Sequence, residues 1–236
     1  LELVTEGRKL LSVNDSIRLG GCIDAEPLLA IAEKSGVLEG EVIHRLAYML
    51  SIGRDPGRSL KYHAAEYPKL AALADGLTPP KGLIETINNT VTDRGEVLDS
   101  ASDKLASIRR DIHNAYNRLL GRLEKMLRDP KYQPMIQDAV ITQRGGRYVI
   151  PVKAEYKNQM KSIIHDQSAS GATIFVEPLA VVEANNAYQE LQLAERDEVH
   201  RILRVLSEQI ADSAQEIRTV NQTLAEIDFV LMCAKY

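Results

Sequence analysis

Residues 143–153 carry the clearest structural signal in the sequence. They read Gln-Arg-Gly-Gly-Arg-Tyr-Val-Ile-Pro-Val-Lys, with two adjacent glycines between short stretches of period-two alternation. A two-residue Gly-Gly connection is typical of a β-hairpin turn, because both positions need positive φ. The pattern predicts strands at residues 139–143 and 147–153, and two further strands at 161–165 and 172–177. Together they predict a small antiparallel β module.

Two details of this module carry expectations of their own. Pro151 has no N–H to donate, so we expect its strand at an edge of the sheet or at a bulge. His165, Asp166 and Ser168 are the residue types of a catalytic triad, but they lie within four residues of one loop. Triad members usually converge from separate elements. We therefore expect the Asp, Ser and Gly of this loop to satisfy the backbone of a turn, and we rank a hydrolase last.

A long helix is predicted on the N-terminal side of the module, over residues 99–129. Apolar side chains recur there in steps of three and four, namely Leu105, Ile108, Ile112, Ala115, Leu119, Leu123 and Met126. This spacing indicates one narrow apolar seam, and Pro130 ends the helix. At 1.5 Å per residue the helix would be about 46 Å long.

A second long helix is predicted after the module, because residues 179–236 contain neither Gly nor Pro. Pro178 suits a first helical position. If unbroken, this helix would be about 87 Å long, far beyond the usual globular helix. A rod of that length needs a partner, and the seam of the first long helix is the partner we predict. The two would form an antiparallel arm.

The N-terminal part predicts a compact helical lobe. Apolar residues recur at helical spacing between residues 24 and 77, and glycines and prolines divide them, beginning with Gly20 and Gly21. The predicted fold class is thus mainly α, a helical core plus long antiparallel helices with a small inserted antiparallel β module. The boundaries that we predict are 1–98 for the core lobe, 99–130 for the first long helix, 131–177 for the β module and 178–236 for the second long helix, which returns to the core.

Composition agrees with this fold and excludes several classes of protein. The 236 residues are 44% hydrophobic and 26% charged, which excludes disordered and collagen-like chains. Nine Tyr, two Phe and no Trp argue against a β-sandwich or barrel. The chain begins without Met and ends on the apolar residues 229–234, so we expect a piece of a longer protein.

Motifs for common enzyme chemistries are missing from the sequence. It contains neither GxxxxGK[ST], which cradles phosphates, nor HExxH, and its five histidines stand apart. Cys22 and Cys233 form no CxxC motif, so the sequence indicates neither a disulfide framework nor a zinc site. This use of cysteine fits a reducing cytoplasm. No apolar run approaches the roughly 20 residues that span a membrane. We expect no metal, no cofactor, no catalytic residue in this chain and no membrane partner.

Charge is more informative. The chain has 29 basic and 33 acidic side chains, a net charge of −4, whereas the β module has an excess of positive charge. Between residues 139 and 178, which hold the predicted strands, the cations are Arg144, Arg147, Lys153, Lys157 and Lys161. Arg144 and Arg147 would face each other across the hairpin turn, where like charges are destabilising. A phosphate or an acidic partner would relieve that repulsion, and splaying of both side chains into water would relieve it as well.

The residues of the module also resemble a known family. Residues 143–153, together with residues 165–178 (His-Asp-Gln-Ser-Ala-Ser-Gly-Ala-Thr-Ile-Phe-Val-Glu-Pro), resemble the clamp region of the "MutS two" branch of bacterial MutS paralogues. Residues 93–102 and 105–109 resemble the start of the lever in the same family, and residues 17–24 resemble its N-terminal core. The resemblance implies a core and lever domain with an inserted β clamp.

The resemblance also implies a function for the longer protein. Members of the family are dimeric ATPases that use ATP and Mg²⁺ and bind branched or otherwise structured DNA. Many carry a C-terminal Smr nuclease domain, and they are linked to suppression of recombination and to rescue of stalled ribosomes. The ATPase and nuclease would lie beyond Tyr236, so we expect the chain itself to be no enzyme.

The leading hypothesis is a clamp that grips a sugar-phosphate backbone, coupled by the long helices to an absent ATPase. The predicted nucleic-acid-binding residues are the five module cations. A motif that joins clamp and lever is predicted at His165, Asp166, Ser168, Ser170, Gly171 and Glu177, either as part of the interface or as a fold determinant. The alternative is a protein-interaction and dimerisation arm that docks on ribosomes, touching ribosomal RNA or protein without direct DNA contact.

Overall fold

The structure is a computed structural model that describes residues 2–13 and 22–235. The connection predicted at Gly20 and Gly21 lies outside the described residues. So do residues 17–21, which are most of the segment that resembles the N-terminal core of the family. The α-helices, in chain order, are α1 (Glu2–Val13), α2 (Glu26–Glu33), α3 (Gly40–Ile52), α4 (Arg54–Tyr62), α5 (Pro68–Leu73), α6 (Leu83–Thr90), α7 (Asp103–Arg128), α8 (Leu179–Asp212) and α9 (Ala214–Lys235). The strands are β1 (Thr142–Arg144), β2 (Arg147–Lys153), β3 (Ser162–Gln167) and β4 (Thr173–Pro178). The fold class predicted from the sequence, mainly α with a small antiparallel β module, is confirmed.

The chain divides into two compact units. The first unit holds the described residues within Leu1–Ser102 and Val199–Tyr236, and the second unit holds Asp103–Glu198. The second unit therefore contains α7, the whole sheet and the first part of α8.

The regular elements that the structure describes in the first unit are helices. Its core consists of aliphatic side chains such as Leu29, Ile43, Leu70, Ile87 and Leu224, each fully buried. Helices α1 and α9 pack on each other within this unit.

Polar contacts join the helices of the first unit at their ends. The carboxylate of Glu6 accepts hydrogen bonds from the backbone N–H groups of Lys69 and Leu70, which supplies the first turn of α5 with the acceptors that it lacks. Arg218 donates to both Glu26 and Glu33 at 2.7–3.1 Å and so ties α9 to the two ends of α2.

The second unit packs the sheet on two antiparallel helix segments. The buried side chains of the predicted seam in α7 include Leu119 and Leu123, which pack with Val152 and Val176 of the sheet and with Val181 of α8. Arg109 of α7 bonds Glu195 of α8 at 2.7 Å, and Lys104 bonds the buried Glu198 at 3.0 Å. These contacts confirm that the apolar stripe of α7 is a packing seam.

The C-terminal residues form two helices, whereas the sequence predicted one unbroken helix. Helix α8 ends at Asp212 and α9 begins at Ala214, with a turn at Ser213. Ser213 N–H still bonds carbonyls of the preceding turn, at 3.3 Å to Gln209 and 3.2 Å to Ile210. The segment lacks Gly and Pro, so composition offered no sign of this break.

Two expectations about proline are corrected. Strand β2 lies inside the sheet, whose order is β1-β2-β4-β3, although it contains Pro151. The carbonyl of Pro151 accepts from Gln137 N–H, on the side of β2 that faces away from β4. The missing N–H points to that same side, so the ladder with β4 loses nothing. Pro178 ends β4 and does not begin the helix, because Leu179 N–H donates to Lys161 and continues the pairing with β3.

Candidate nucleic-acid interface

The hairpin turn has the conformation that its two glycines predict. Gly145 has φ of 53° and Gly146 has φ of 78°, so both occupy the left-handed region that a side chain disfavours. Arg144 and Arg147 are direct partners across the turn. The carbonyl of Gly146 accepts hydrogen bonds from the side chains of Gln143 and Gln189, which attaches the turn to α8.

Strand β2 is held to α8 by one buried amide. Asn185 is fully buried, accepts from the backbone N–H of Tyr148 at 3.0 Å and donates to its carbonyl at 3.1 Å. The rings of Tyr148, Tyr116 and Tyr188 contact one another, with centroids 5.5–6.0 Å apart. Burial, together with hydrogen bonding to Tyr188, raises the pKa of Tyr148 to about 12. The base of the module is therefore rigidly attached to its helices.

The strand register sorts the side chains of the sheet onto two faces. Val152, Ile174 and Val176 lie on the face that packs into the hydrophobic core. Because successive residues of a strand alternate, Arg147 and Lys153 of β2 lie on the opposite face. Arg144 shares that face, since it is the direct partner of Arg147. We call this second surface the outer face.

Arg144 is neutralised within the module. Its Nε donates to Asp166 Oδ2 at 2.9 Å, and its guanidinium lies 4.1 Å from the centre of the Phe175 ring. One terminal nitrogen also donates to the carbonyl of Gln143 at 2.9 Å. The arginine therefore spans from β1 over β4 to β3, and 37% of its side chain stays accessible.

Arg147 belongs to a second charge cluster, centred on Glu177. The Glu177 side chain is only 1% exposed, and its two oxygens accept from Arg147 at 3.1 Å and from His165 Nε2 at 2.7 Å. The register of β3 against β4 shifts between Ile164 and Asp166, so His165 is the extra residue of a β-bulge. The bulge aims the imidazole at the carboxylate.

The repulsion between Arg144 and Arg147 is thus answered by two carboxylates of the same module, Asp166 and Glu177. The sequence analysis named a phosphate, an acidic partner and splaying into water as ways to relieve it, but did not identify carboxylates of the module itself as the acidic partner. The assignment of the two arginines to nucleic acid stays a prediction.

The loop between β3 and β4 satisfies its own polar groups. Ser168 Oγ accepts from Thr173 N–H at 3.1 Å, and Ser170 Oγ lies 3.3 Å from Ser168 Oγ. Gly171 has φ of 74°, and its carbonyl accepts from the side chain of Gln167. No hydrogen bond joins His165 to Ser168 among the described residues. This arrangement agrees with a turn rather than a catalytic triad.

The three lysines of the module differ from the arginines. Lys153 Nζ donates to the carbonyl of Pro134 at 3.1 Å. Lys157 and Lys161 are exposed on the segment that connects β2 to β3. In the part of the chain that the structure describes, none of the three has a carboxylate partner. They are the module cations free to meet an external anion.

Sequence reasoning missed a second basic element, because the charge count treated everything outside the module as one acidic remainder. Residues 103–128, which form α7, contain seven basic and three acidic side chains. Arg118, Arg122 and Lys125 lie exposed at i, i+4 and i+7, on one face of the helix. A count of charge by predicted element would have found them.

Two structural features were not found among the described residues, a cluster of metal ligands and a membrane-spanning helix. They contain no group of three or more His, Cys, Asp or Glu that could hold a metal ion. None of the described helices combines the length and apolarity needed to cross a membrane.

Comparison with known proteins identifies the relatives of this chain. No family model matches it. Over its whole length it is 39% identical to Endonuclease MutS2 of Pelotomaculum thermopropionicum and 39% identical to Endonuclease MutS2 of Geobacillus thermodenitrificans. The protein of the same name from Listeria innocua is 38% identical over 98% of the chain. In each case the chain spans about 30% of the relative's length. The resemblance noted in the sequence is thereby confirmed, and the chain belongs to the MutS2 family as a stretch equivalent to about 30% of its members' length.

Proposed function

We propose that the chain binds the sugar-phosphate backbone of branched or structured DNA through the outer face of its β module. The observation that carries this proposal is the register, which collects Arg144, Arg147 and Lys153 on the sheet face opposite the hydrophobic core. Lys157 and Lys161 add two exposed cations on the adjoining crossing. Phe175, which stacks under Arg144, offers an aromatic surface on the same face.

The cations of the module have two different roles in this proposal. Phosphates are neutralised by the three lysines, Lys153, Lys157 and Lys161. Among the described residues, no ion pair with a carboxylate has to be broken before these lysines bind a phosphate. Arg147 holds the buried Glu177, and Arg144 reaches a phosphate only by exchanging it for Asp166. Affinity then comes mainly from neutralised phosphates and falls steeply as the salt concentration rises.

The role that we propose for the longer protein follows from its relatives. Their name, endonuclease, describes an enzyme that acts on nucleic acid, which supports nucleic acid as the ligand of this family. We propose that the longer protein is a homodimeric ATPase that uses ATP and Mg²⁺, carries the nuclease, suppresses recombination and acts on stalled ribosomes in the cytoplasm. The present chain would supply the grip and no catalytic residue.

The test measures the binding of fluorescein-labelled DNA by the 236-residue chain at several salt concentrations. The probes are a four-way junction, a linear duplex of the same length and an RNA hairpin. We expect the Lys153→Gln, Lys157→Gln, Lys161→Gln variant to bind the junction at least tenfold more weakly. The slope of log K against log salt should fall by about 0.9 for each lost phosphate contact, about 3 in total.

The matched control replaces three exposed cations of the first unit, Arg58, Lys81 and Arg94, by Gln. It changes the net charge by the same amount and should keep the wild-type affinity and slope. Arginine is left out of the test variant because Arg147→Gln would remove a charged partner of the buried Glu177 and so disturb the fold. Equal binding by the lysine variant and the control would sink the proposal.

A protein-interaction arm is the second candidate function, and one observation favours it. Strand β3 lies at the edge of the sheet and exposes 43% of Ile163 and 40% of Ile164. An exposed edge strand offers its backbone to another chain. Crosslinking of the longer protein to stalled ribosomes distinguishes the two functions, because docking through this edge predicts module crosslinks to ribosomal protein and none to nucleic acid.

A further inference from the structure

The exposed face of α7 carries three cations without carboxylate partners. Arg118, Arg122 and Lys125 follow each other at i, i+4 and i+7, and none of them contacts a carboxylate in the described residues. The contact of Arg118 is a hydrogen bond of 3.3 Å from its Nε to the carbonyl of Asn114. Other cations of the helix differ, because Lys104 and Arg109 are paired with Glu198 and Glu195 of α8.

These cations line a groove between α7 and the first turns of α8. A depression of about 200 Å³ is lined by Ala115, Arg118, Arg122, Glu183, Ala184 and Ala187. A second depression of about 290 Å³ is lined by Arg122, Lys125, Met126, Asp129, Tyr132, Ala180 and Val181. They share Arg122 and therefore follow one another along the helix. Alanines form much of the α8 side, while the basic side chains come from α7.

Gly121 lies outside these two depressions. It lines a third one, of about 440 Å³, together with Glu124, Lys125, Arg128 and Asp129, and Lys125 connects it to the second depression. Gly121 lies in the middle of α7, where glycine is unfavourable because it adds conformational freedom to the unfolded chain. A Cβ at this position would have no atom within 4 Å, so packing inside the chain does not require the glycine. It leaves bare helix backbone beside Lys125, where a ligand can approach closely.

We propose that this α7 groove, lined by Arg118, Arg122 and Lys125 and bordered by Gly121 beside Lys125, binds one sugar-phosphate strand of the nucleic acid that the β module grips. The inference rests on the proposed function and adds a second contact surface within the same unit. The two arginines bind phosphates through planar forks, and the lysine acts as a point charge.

A linear polyanion fits the groove better than an acidic protein. From Arg118 to Lys125 the helix rises about 10 Å, and the cations repeat regularly along it. A nucleic-acid strand offers a negative charge at every nucleotide, so its phosphates can follow this regular row of cations. Packed helix axes lie about 8–10 Å apart, so the groove between them admits a single strand rather than a duplex.

Glu183 sets the side on which the phosphates lie. Its carboxylate belongs to the α8 wall of the first depression, opposite the arginines. Phosphates are therefore held against α7, and the sugars face the alanines of α8. Removing the charge of Glu183 should strengthen binding, which is the opposite of what the loss of a cation does.

The experiment measures binding of the 236-residue chain to a 20-nucleotide single strand, as DNA and as RNA, and to a four-way junction. The variant Arg118→Gln, Arg122→Gln, Lys125→Gln should bind the single strand at least tenfold more weakly, with a salt slope lower by about 2 to 3. Glu183→Gln should bind it twofold to threefold more tightly. The control is again the variant of Arg58, Lys81 and Arg94.

A second variant tests the groove without changing any charge. Gly121→Gln puts a neutral side chain into open space, so the fold should persist, as circular dichroism can verify. We expect at least threefold weaker binding of the single strand, because the added side chain blocks the close approach. Ala72→Gln, at an exposed helical position of the first unit, is the control for an added neutral side chain.

The outcomes separate this inference from the proposed function. If the α7 variants bind like the control while the module lysine variant is weakened, the groove proposal is wrong and the proposed function stands. If the α7 triple variant loses binding to polyglutamate and keeps binding to nucleic acid, the groove serves an acidic protein and the inference is overturned. If the wild-type chain binds no nucleic acid at 50 mM salt, both proposals fail.

Discussion

At the scale of single residues, the outer face of the sheet is organised by the buried carboxylate of Glu177. A buried carboxylate needs hydrogen-bonding partners to compensate for its lost hydration, and Arg147 and His165 supply them from β2 and β3. The same two contacts join three strands. The main role of Arg147 is therefore structural. Only those of its N–H groups that do not bond Glu177 are available to a phosphate.

The first prediction concerns this pair. Arg147→Met should lower the free energy of unfolding by about 3 kcal/mol, because it leaves Glu177 buried with only His165 as partner. Adding Glu177→Gln to that variant should recover part of the loss, since the uncompensated charge disappears. Urea unfolding of the two single variants and the double variant measures the coupling, and strict additivity would contradict a direct interaction.

The second prediction concerns pH and Tyr148. Burial raises the pKa of this phenol to about 12, so the folded state favours its neutral form relative to the unfolded state. That contribution to stability is complete below the ordinary pKa of about 10 and is lost as the pH rises toward 12. Absorbance titration of the tyrosines should show one late phenol, and Tyr148→Phe should remove it. A late phenol that persists in Tyr148→Phe would assign the shift to another tyrosine.

At the scale of elements, close backbone contacts position the start of α3 against the loop before α7. Val91 and Val97 form a β-bridge, and the turn between them contains Gly95 with φ of 79°. A Cβ on Gly95 would lie 2.2 Å from Glu41 N, and one on Gly40 would lie 2.1 Å from Gly95 O. Two glycines therefore allow a helix end and a turn to touch through their backbones.

The third prediction compares two glycines of similar φ. Gly95→Ala should destabilise the chain by about 3 kcal/mol or more, because it adds a backbone clash to the strain of a left-handed residue. Gly82→Ala, with φ of 79° and no atom within 4 Å of the added carbon, should cost only about 1 kcal/mol. Thermal unfolding of both variants measures the difference, and equal losses would show that strain alone matters.

At the scale of the whole molecule, the net charge of −4 is divided unequally. Residues 103–198 contain 14 basic and 13 acidic side chains, whereas the rest of the chain contains 15 basic and 20 acidic ones. The second unit is therefore close to neutral, and the module lysines and the exposed face of α7 are two of the places where its cations have no carboxylate partner among the described residues. A whole-chain charge count hides both, because the acidic first unit outweighs them.

The fourth prediction follows from that division. At pH 7.5 and low salt the chain should bind an anion exchanger, through its net negative charge, and should also be retained on heparin, through its local cations. The lysine variant of the module should elute from heparin at clearly lower salt, and the first-unit control at the wild-type position. Elution of the lysine variant and the control together would contradict a local basic surface.

Much of the fold follows from local chemistry that can be read along the chain. Period-two alternation around Gly145 and Gly146 predicted the hairpin, and the glycines have the positive φ that it requires. The apolar seam of α7 is buried as its spacing predicts, at Leu105, Leu119 and Leu123. Both patterns depend only on residues within a few positions of each other, which is why they could be recognised without a structure.

Only the tertiary structure shows which side chains distant in sequence become partners. Asp166 is 22 residues from Arg144, and Glu177 is 30 residues from Arg147, so no local pattern predicted that these carboxylates neutralise the hairpin. Likewise the groove beside Arg118 exists only because α8 returns against α7. By itself the sequence determined the hairpin turn, the apolar seam of α7 and the family. Pairing and burial determine which charges stay free for a ligand, and both depend on how distant strands and helices pack.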